Sequence, residues 1–188
     1  MALLRSLLQA VLCAALALPM FRAARGAETP SEYQVKAVFV FNFSRFVEWP
    51  PQAFSAPNQP FAICILGDDP FGPRLDEAVR GEQIEQHPLL IRRMRTVREA
   101  DNCQILYIDR SEAGELHQIL AALDHRSTLT VSDLSDAAER GGMIQFMTEN
   151  NRIRLRINVE SARAAGLTIS SKLLRPADIV ATREGSAR

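Results

Sequence analysis

The residues that could take part in catalysis or metal binding are scattered along this chain. His87, His117 and His125 do not have the spacing of metal ligands, either to one another or to a cysteine. The sequence has no Gly-x-Ser-x-Gly elbow, no phosphate-binding loop and no Cys-x-x-Cys motif. We therefore predict no catalytic residue, no metal ion and no cofactor. A hydrolase or transferase is an alternative that no motif supports.

One acidic pair, Asp68-Asp69, stands where open α/β sheets bind ligands, just after an apolar run that ends at Gly67. Asp109 ends another apolar run, and Lys172 comes late in the chain. Phosphoacceptor receiver domains use a similar set of two acids, an aspartate and a lysine. The alternative is that Asp69 caps a helix, because Asp followed by Pro is an ordinary helix start.

Two basic clusters could bind an anion or an acidic partner. Arg152, Arg154 and Arg156 alternate along one predicted strand, where like charges can also protect a sheet edge from aggregation, and we favour that second interpretation. Residues 92–95 (Arg-Arg-Met-Arg) have the same ambiguity. One hypothesis is a small-ligand site built from Gly67, Asp68, Asp69, Arg92 and Arg93.

Aromatic residues are concentrated in and just after the first predicted helix, at Phe39, Phe41, Phe43, Phe46 and Trp49. Residues of this kind usually belong to a core, but the set is too dense for one sheet face to cover. We expect some of it to join subunits or to dock a partner.

Apolar periodicity and turn residues predict one domain over residues 27–182, in which strands and helices alternate. The predicted helices cover residues 30–47, capped by Thr29, 70–80, capped by Asp69, 111–123, 132–140 and 159–165. The predicted strands cover residues 61–66, 87–92, 104–109, 128–131, 143–148 and 152–158, and segments 167–170 and 172–180 close the domain. This order predicts an α/β three-layer sandwich with a mainly parallel central sheet and a C-terminal antiparallel hairpin.

Residues 1–26 have the layout of a secretory signal peptide. A basic start at Arg5 precedes an apolar run of 12 residues at positions 7–18 and a small-residue exit that ends at Gly26. A membrane-spanning helix needs about 20 apolar residues, and an uncleaved anchor is the alternative. We predict cleavage after Gly26, export of the chain, and a polar tail at residues 183–188.

The precursor is neutral, with 22 basic and 22 acidic side chains among 188 residues. Residues 1–26 contain three arginines and no acidic residue, so the mature chain has 22 minus three, or 19, basic and 22 acidic side chains. A general nucleic-acid binder is usually basic, so this class is excluded. The hydrophobic fraction of 47% excludes a disordered chain.

Two cysteines, Cys64 and Cys103, remain after the predicted cleavage. An even pair in an exported protein indicates a disulfide, and two buried free thiols are the alternative.

Several short segments carry a likeness to one known family. They are Tyr33-Gln34-Val35-Lys36-Ala37, Phe41-Asn42-Phe43 with Trp49-Pro50, Ile65-Leu66-Gly67-Asp68-Asp69-Pro70-Phe71-Gly72, Leu129-Thr130-Val131-Ser132-Asp133, Gly141-Gly142-Met143-Ile144 and Ala165-Gly166-Leu167-Thr168-Ile169-Ser170-Ser171-Lys172-Leu173-Leu174. In order and spacing the set resembles the YfiR family of periplasmic proteins, over about residues 31–181.

The resemblance implies an exported α/β repressor that often dimerises and performs no chemistry itself. In the best-known system of that family the repressor holds the periplasmic part of an inner-membrane diguanylate cyclase, YfiN, inactive, until the outer-membrane lipoprotein YfiB sequesters the repressor. Cyclic-di-GMP then rises and favours biofilm. Other members occur beside or fused to other signalling proteins, so the resemblance does not fix the partner. Cys64 and Cys103 match a cysteine pair that forms a disulfide in that system, whereas a second pair found there is missing here, which leaves redox control through it without a basis.

We accordingly predict a periplasmic regulatory homodimer that binds a membrane sensor, with a YfiB-like lipoprotein as a further partner. Because an exposed sheet edge can dock another chain, we expect the contact on the C-terminal hairpin and the segment after it. The candidate residues are Phe146, Leu155, Ile157, Lys172 and Leu173. The second hypothesis is a periplasmic module that binds a small ligand and feeds a membrane sensor.

Overall fold

The computed structural model describes residues 31–183. The helices in this range are α1 (Glu32–Phe46), α2 (Pro73–Val79), α3 (Leu116–Ala122), α4 (Val159–Ala164) and α5 (Ser171–Leu174). The strands are β1 (Val47–Glu48), β2 (Phe61–Leu66), β3 (Gln83–Ile84), β4 (His87–Met94), β5 (Ile105–Ile108), β6 (Leu129–Ser132), β7 (Ile144–Glu149), β8 (Arg152–Asn158), β9 (Thr168–Ile169) and β10 (Asp178–Val180). The predicted signal peptide and residues 184–188 lie outside the described residues.

Eight strands form one sheet in the order β10-β8-β7-β6-β5-β2-β4-β3. The five strands from β4 to β7 in that order are parallel to their neighbours. β7 and β8 form the antiparallel hairpin, β3 is antiparallel to β4, and β10 is parallel to β8. The predicted α/β class, with a mainly parallel sheet and an antiparallel strand pair, is confirmed.

Helices cover both faces of the sheet, because its central strands are apolar on both sides. Every residue of β2 is buried. Ile63 and Ile65 belong to the core cluster that contains side chains of α1 and α2, whereas Cys64 and Leu66 belong to the cluster that contains side chains of α3. None of the helices in residues 31–183 is long and apolar enough to span a bilayer.

Helix α1 begins at Glu32, two residues after the predicted start, with a capping box. The Ser31 side chain accepts a hydrogen bond from the backbone N–H of Gln34, and the Gln34 side chain accepts one from the Ser31 N–H at 2.6 Å. Thr29, the predicted cap, lies outside the described residues. The helix ends at Phe46, and Val47 is already extended and pairs with β9.

Helix α2 begins at Pro73, three residues later than predicted, so the expected cap at Asp69 is wrong. The Asp69 carboxylate accepts hydrogen bonds from the backbone N–H groups of Phe71 (2.8 Å) and Gly72 (3.2 Å), which closes a turn before the helix. Gly72 has a φ of 55°, a conformation that glycine adopts easily, and Pro73 takes the first helical position.

The predicted helix at residues 132–140 is also wrong, because this segment is a series of turns. The Ser132 hydroxyl accepts a hydrogen bond from the Leu134 N–H at 3.1 Å and donates one to the Ile108 carbonyl at 2.7 Å. Asp136 has a φ of 60°, in the left-handed region, which interrupts a right-handed helix.

The predicted hairpin turn is present at Asn150 and Asn151, whose φ values of 49° and 59° suit a tight antiparallel connection. The alternation predicted for β8 also holds, since Leu155 and Ile157 are buried while Arg152 is exposed. β8 is nevertheless not a sheet edge, because β10 pairs with its C-terminal half.

A disulfide joins Cys64 in β2 to Cys103, just before β5, with the two Cα atoms 5.9 Å apart. Both cysteines are buried in the core cluster on the α3 side of the sheet. The predicted bridge is thus confirmed, and it is a feature of proteins that fold in oxidising compartments.

Candidate functional site

The carboxyl edge of the parallel sheet brings together the polar residues that follow three neighbouring strands. Asp68 and Asp69 follow β2, Asp109 follows β5 and Asp133 follows β6. The N-terminal turn of α1 reaches the same edge and adds Tyr33, Glu32 and Lys36. In α/β proteins this edge is where ligands usually bind.

A buried ion cluster lies at the centre of this edge, and we call it the Lys36–Asp133 cluster. Lys36 is fully buried and Asp133 is only 6% exposed. The Lys36 ammonium lies 2.8 Å from Asp133 Oδ2 and 2.6 Å from Glu32 Oε1. The Tyr33 hydroxyl donates to Asp133 Oδ2 at 2.9 Å, and Arg110 Nε lies 3.2 Å from Asp133 Oδ1. Two cations therefore balance one buried carboxylate and one half-exposed carboxylate.

The cluster shifts the titration of its members. Burial acts to raise the pKa of Asp133, but the hydrogen bonds from Lys36 and Tyr33 and the positive charges of Lys36 and Arg110 outweigh it, so the pKa is lowered. The hydrogen bond from Lys36 lowers the pKa of Glu32. Burial and the hydrogen bond to Asp133 raise the pKa of Tyr33 to about 12. Burial and the Asp133 charge also raise the pKa of Tyr107.

These contacts make the cluster a fastening for α1 rather than a reactive centre. Lys36 joins Glu32 on its own helix to Asp133 at the end of β6, and its ammonium lies 4.7 Å from the centre of the Tyr33 ring. The Glu32 carboxylate in turn accepts a hydrogen bond from Thr148 in β7 at 3.0 Å. The N-terminal end of α1 is thereby bound to two adjacent strands.

The sequence reasoning missed this cluster. Lys36 stands among Val35, Ala37 and Val38 in a helix that is apolar on most sides, and this is the signal that could have found it. A lysine in such a position must pair with a carboxylate, because an unpaired buried charge is very unfavourable.

The predicted ligand set is not assembled into a free site. Arg93 pairs with Asp69 at 2.7 Å and with Asp76 of α2. The hydrogen bond to Asp76 raises the pKa of Arg93, although burial acts in the opposite direction. Asp68 pairs with Arg95 at 2.8 Å, with both side chains largely exposed. Arg92 turns away and donates to the backbone carbonyls of Asp101 and Glu99.

Gly67 and Arg92 are placed by packing rather than by a ligand. Gly67 has a φ of 90°, which side chains rarely adopt, and a β-carbon there would also collide with the Ser111 hydroxyl, so this turn favours glycine. Arg92 lies opposite Cys64 in the parallel ladder, on the disulfide side of the sheet, whereas Arg93 lies opposite Ile65 on the other side. The two arginines of the ligand hypothesis therefore lie on opposite faces.

The set that resembles a receiver domain is divided between two ends of the molecule. Asp109 uses its carboxylate to accept the backbone N–H of Ser111 at 2.8 Å. Lys172 lies in α5 after β9, which pairs with β1 at the opposite, amino edge of the sheet. Within residues 31–183 no group of three histidine, cysteine or acidic side chains could hold a metal ion.

The predicted partner surface on the hairpin lies mostly inside the protein. Phe146, Leu155, Ile157 and Leu173 are all buried in the core cluster under α1. Lys172 is the exposed member of the five. The other four are buried because they pack into the core cluster that contains side chains of α1, and β10 also pairs with residues 156–158 of β8, which covers that part of the edge.

The other sequence features divide between core and surface. Arg154 lies 3.7 Å from Asp178 and Arg156 3.3 Å from Glu139, so two of the three β8 arginines make ion pairs with neighbouring segments. Glu139 also pairs with Arg183, whose backbone N–H donates to the Glu139 carbonyl. In the aromatic set Phe43 is fully buried, whereas the other four members (Phe39, Phe41, Phe46 and Trp49) are partly exposed.

Comparison with known proteins agrees with this architecture. A family model described as YfiR/HmsC-like matches residues 33–178. A comparison with curated proteins returned no match. At the family level this identifies a regulatory, non-catalytic family of periplasmic proteins in cyclic-di-GMP signalling, and the Cys64–Cys103 disulfide is consistent with export. On the extent of that match, the chain belongs to the YfiR/HmsC-like family.

Proposed function

We propose that this protein is a periplasmic repressor that holds the sensor part of a YfiN-like inner-membrane diguanylate cyclase inactive. It lowers cyclic-di-GMP and restrains biofilm, acts as a homodimer, and is removed from the sensor by a YfiB-like outer-membrane lipoprotein. Membership of the YfiR/HmsC-like family and the disulfide of an exported protein support this proposal.

A partly exposed stripe on α1 carries the proposal, and we call it the α1 stripe. It consists of Gln34, Val38, Phe41 and Arg45, whose spacing places them on one side of the helix. Val38 is 51% exposed, although the solvated face of a helix usually carries polar residues. The Arg45 guanidinium lies over the Phe41 ring, 4.7 Å from its centre. An apolar centre between polar ends is the composition of a protein interface.

The α1 stripe is held in place before any partner binds. The Lys36–Asp133 ion pair fastens the N-terminal turns of α1 to the sheet, and the fully buried Val40 and Phe43 anchor its inner side. A preformed surface loses little conformational entropy on association, which favours affinity.

Repression follows if the stripe binds one sensor conformation more tightly than the other. A partner with equal affinity for both conformations shifts nothing. Moving a sensor from 1:99 to 99:1 in favour of the inactive state requires an affinity ratio of about 10⁴. The repressor therefore needs no chemistry of its own, only differential binding.

The test is binding of the mature chain to the purified periplasmic part of the cyclase, measured by calorimetry. We expect Val38→Glu to weaken binding by about tenfold or more, since it places a charge in an apolar contact. Leu90→Glu is the matched control, because Leu90 is also an exposed apolar residue, at 45%. Leu90 pairs in register with Ala62, whose side chain packs with α3, so it lies on the face of the sheet away from α1.

Equal affinities of the wild-type and Val38→Glu proteins would contradict the assignment of the stripe. Light scattering of the same samples gives their oligomeric state. A monomeric Val38→Glu protein that still binds the sensor would assign the stripe to the homodimer instead.

A further inference from the structure

A concave region lies at the amino edge of the sheet, where β2 and β4 begin. It consists of two adjoining hollows of about 420 Å³ and 440 Å³. The two hollows share Trp49, Phe54, Glu85 and His87, and we call the region the aromatic cleft. Its volume is in the range of small-ligand sites. None of these four residues belongs to the Lys36–Asp133 cluster or to the α1 stripe.

One wall of the aromatic cleft is the indole ring of Trp49. Its Nε1–H donates a hydrogen bond to the Gln104 carbonyl at 3.1 Å, which fixes the ring and uses its only donor. The ring meets Phe61 edge to face, with centres 4.9 Å apart and an interplanar angle of 85°. This wall is therefore rigid and has no free hydrogen-bond donor to offer a ligand.

A second wall is a stacked pair, Phe54 and His87, with ring centres 4.0 Å apart and planes inclined by 12°. His87 Nδ1 lies 2.6 Å from the Gln59 carbonyl oxygen. Because a carbonyl oxygen only accepts, Nδ1 carries the hydrogen in this contact. The second wall is thus also held in one orientation without a ligand.

The rim of the cleft is negatively charged. Glu48 and Glu85 both line the cleft, and both are exposed. Within residues 31–183 no cationic side chain lies at salt-bridge distance from either carboxylate. Arg45 of the α1 stripe also lines the cleft, but its guanidinium is already paired with Glu82, 2.7 Å away. Glu85 has a φ of 54°, a strained conformation for a residue with a side chain, in the tight turn between β3 and β4.

We propose that the aromatic cleft binds a small organic cation of the alkylammonium class. Aromatic walls attract a cation electrostatically and exclude water from it, and the two unpaired carboxylates balance its charge. An anion would meet repulsion from both glutamates, and a neutral ligand would leave them without a partner. The inference goes beyond repression, because it gives a periplasmic regulator a ligand of its own.

The intrinsic fluorescence of the mature protein reports on this site directly, because Trp49 is the only tryptophan in the chain. The probes are choline, tetramethylammonium and 3,3-dimethylbutan-1-ol, in which a carbon atom replaces the choline nitrogen. We expect saturable changes with both cations and an affinity at least about tenfold lower for the neutral analogue, because the ring and carboxylate attraction depends on the charge.

Two substitutions at the rim locate the site. Glu85→Gln and Glu48→Gln are each expected to weaken choline binding several-fold. Glu149→Gln is the matched control, since Glu149 is the last residue of β7 and lies at the carboxyl edge, away from the cleft. Its affinity for choline should equal that of the unmodified protein.

The proposal is overturned if neither cation gives a saturable change up to about 50 mM, well above the millimolar range of weak specific binding. It is equally overturned if the neutral analogue binds as tightly as choline. Both outcomes are obtained with the unmodified protein, so they do not depend on whether a variant folds. They are also independent of cyclase binding, which the Val38→Glu experiment measures.

Discussion

The two edges of the sheet differ in how their charged groups are satisfied. At the carboxyl edge Asp68, Asp69 and Asp133 are all bound by side chains of the protein itself. At the amino edge Glu48 and Glu85 line an open aromatic cleft and have no such partner in the described part of the chain. The edge where an α/β sheet usually binds ligands is thus closed by its own ion pairs, and the opposite edge is the open one. Position in a fold therefore indicates where to look, but only the partners of each group show whether a site is free.

The largest expected effect comes from removing the buried carboxylate of the carboxyl edge. Asp133→Ala leaves the Lys36 ammonium fully buried with only Glu32 as a partner, and we expect a loss of about 3–5 kcal/mol in the free energy of unfolding. Urea denaturation followed by circular dichroism measures this. Asp124→Ala is the control, because the Asp124 side chain is 72% exposed, and its effect should stay within about 0.5 kcal/mol. A loss below about 1 kcal/mol for Asp133→Ala would show that the cluster does not fasten α1.

The disulfide has the next largest effect. It joins β2 to the segment just before β5. It closes a segment with a sequence separation of 39, for which the loop-entropy model gives up to about 4 kcal/mol. The Cys64→Ala/Cys103→Ala protein should therefore unfold at a clearly lower urea concentration. Under reducing conditions the wild-type protein should approach the same midpoint, whereas the double variant should not respond. Equal midpoints for the oxidised wild-type protein and the double variant would mean that the bridge contributes nothing.

The pH dependence of stability tests the buried ion cluster of the carboxyl edge. The pKa values of Asp133 and Glu32 are lower in the folded protein than their ordinary values, so the stabilisation is present above the ordinary carboxyl pKa. It is lost as the pH falls from about 5 through the lowered pKa values. The wild-type protein should therefore lose more stability than Asp133→Asn between pH 6 and pH 3, on the order of 1 kcal/mol or more. Parallel curves for the two proteins would show that Asp133 titrates normally.

The smallest effect is expected for the exposed ion pairs of the carboxyl edge. Arg93 pairs with Asp69 and Asp76, but its side chain is 42% exposed, so water screens both interactions. Arg93→Ala should cost no more than about 1 kcal/mol in urea denaturation, well below Asp133→Ala. A loss as large as that of Asp133→Ala would mean that the surface network, not the buried cluster, holds this edge together.

The features that the sequence predicts well depend on local composition. The apolar run of β2 and the Asn150-Asn151 turn each identify themselves within a few residues, and the cysteine pair follows from counting the cysteines that remain after the predicted cleavage. Helix starts were less predictable, because Asp69 serves a turn as well as it would serve a cap, and only the following Gly72 decides between them.

The features that the sequence does not predict depend on contacts between distant residues. Lys36 and Asp133 are 97 residues apart, and neither residue alone indicates the other. The sequence indicates an exposed edge at the hairpin, because nothing near β8 shows that residues 178–180 return to pair with it. The aromatic cleft likewise forms only when the segment after α1 meets the β3–β4 turn.

The most direct test of the account is cyclic-di-GMP in cells that lack the native gene. Wild-type protein and Leu90→Glu, supplied in trans, should lower the nucleotide to the level of the parent strain. Val38→Glu, present in the periplasm in equal amount, should leave it at the level of the deletion strain. If Val38→Glu lowers cyclic-di-GMP as fully as the wild-type protein, the α1 stripe is not the surface through which this protein represses its partner.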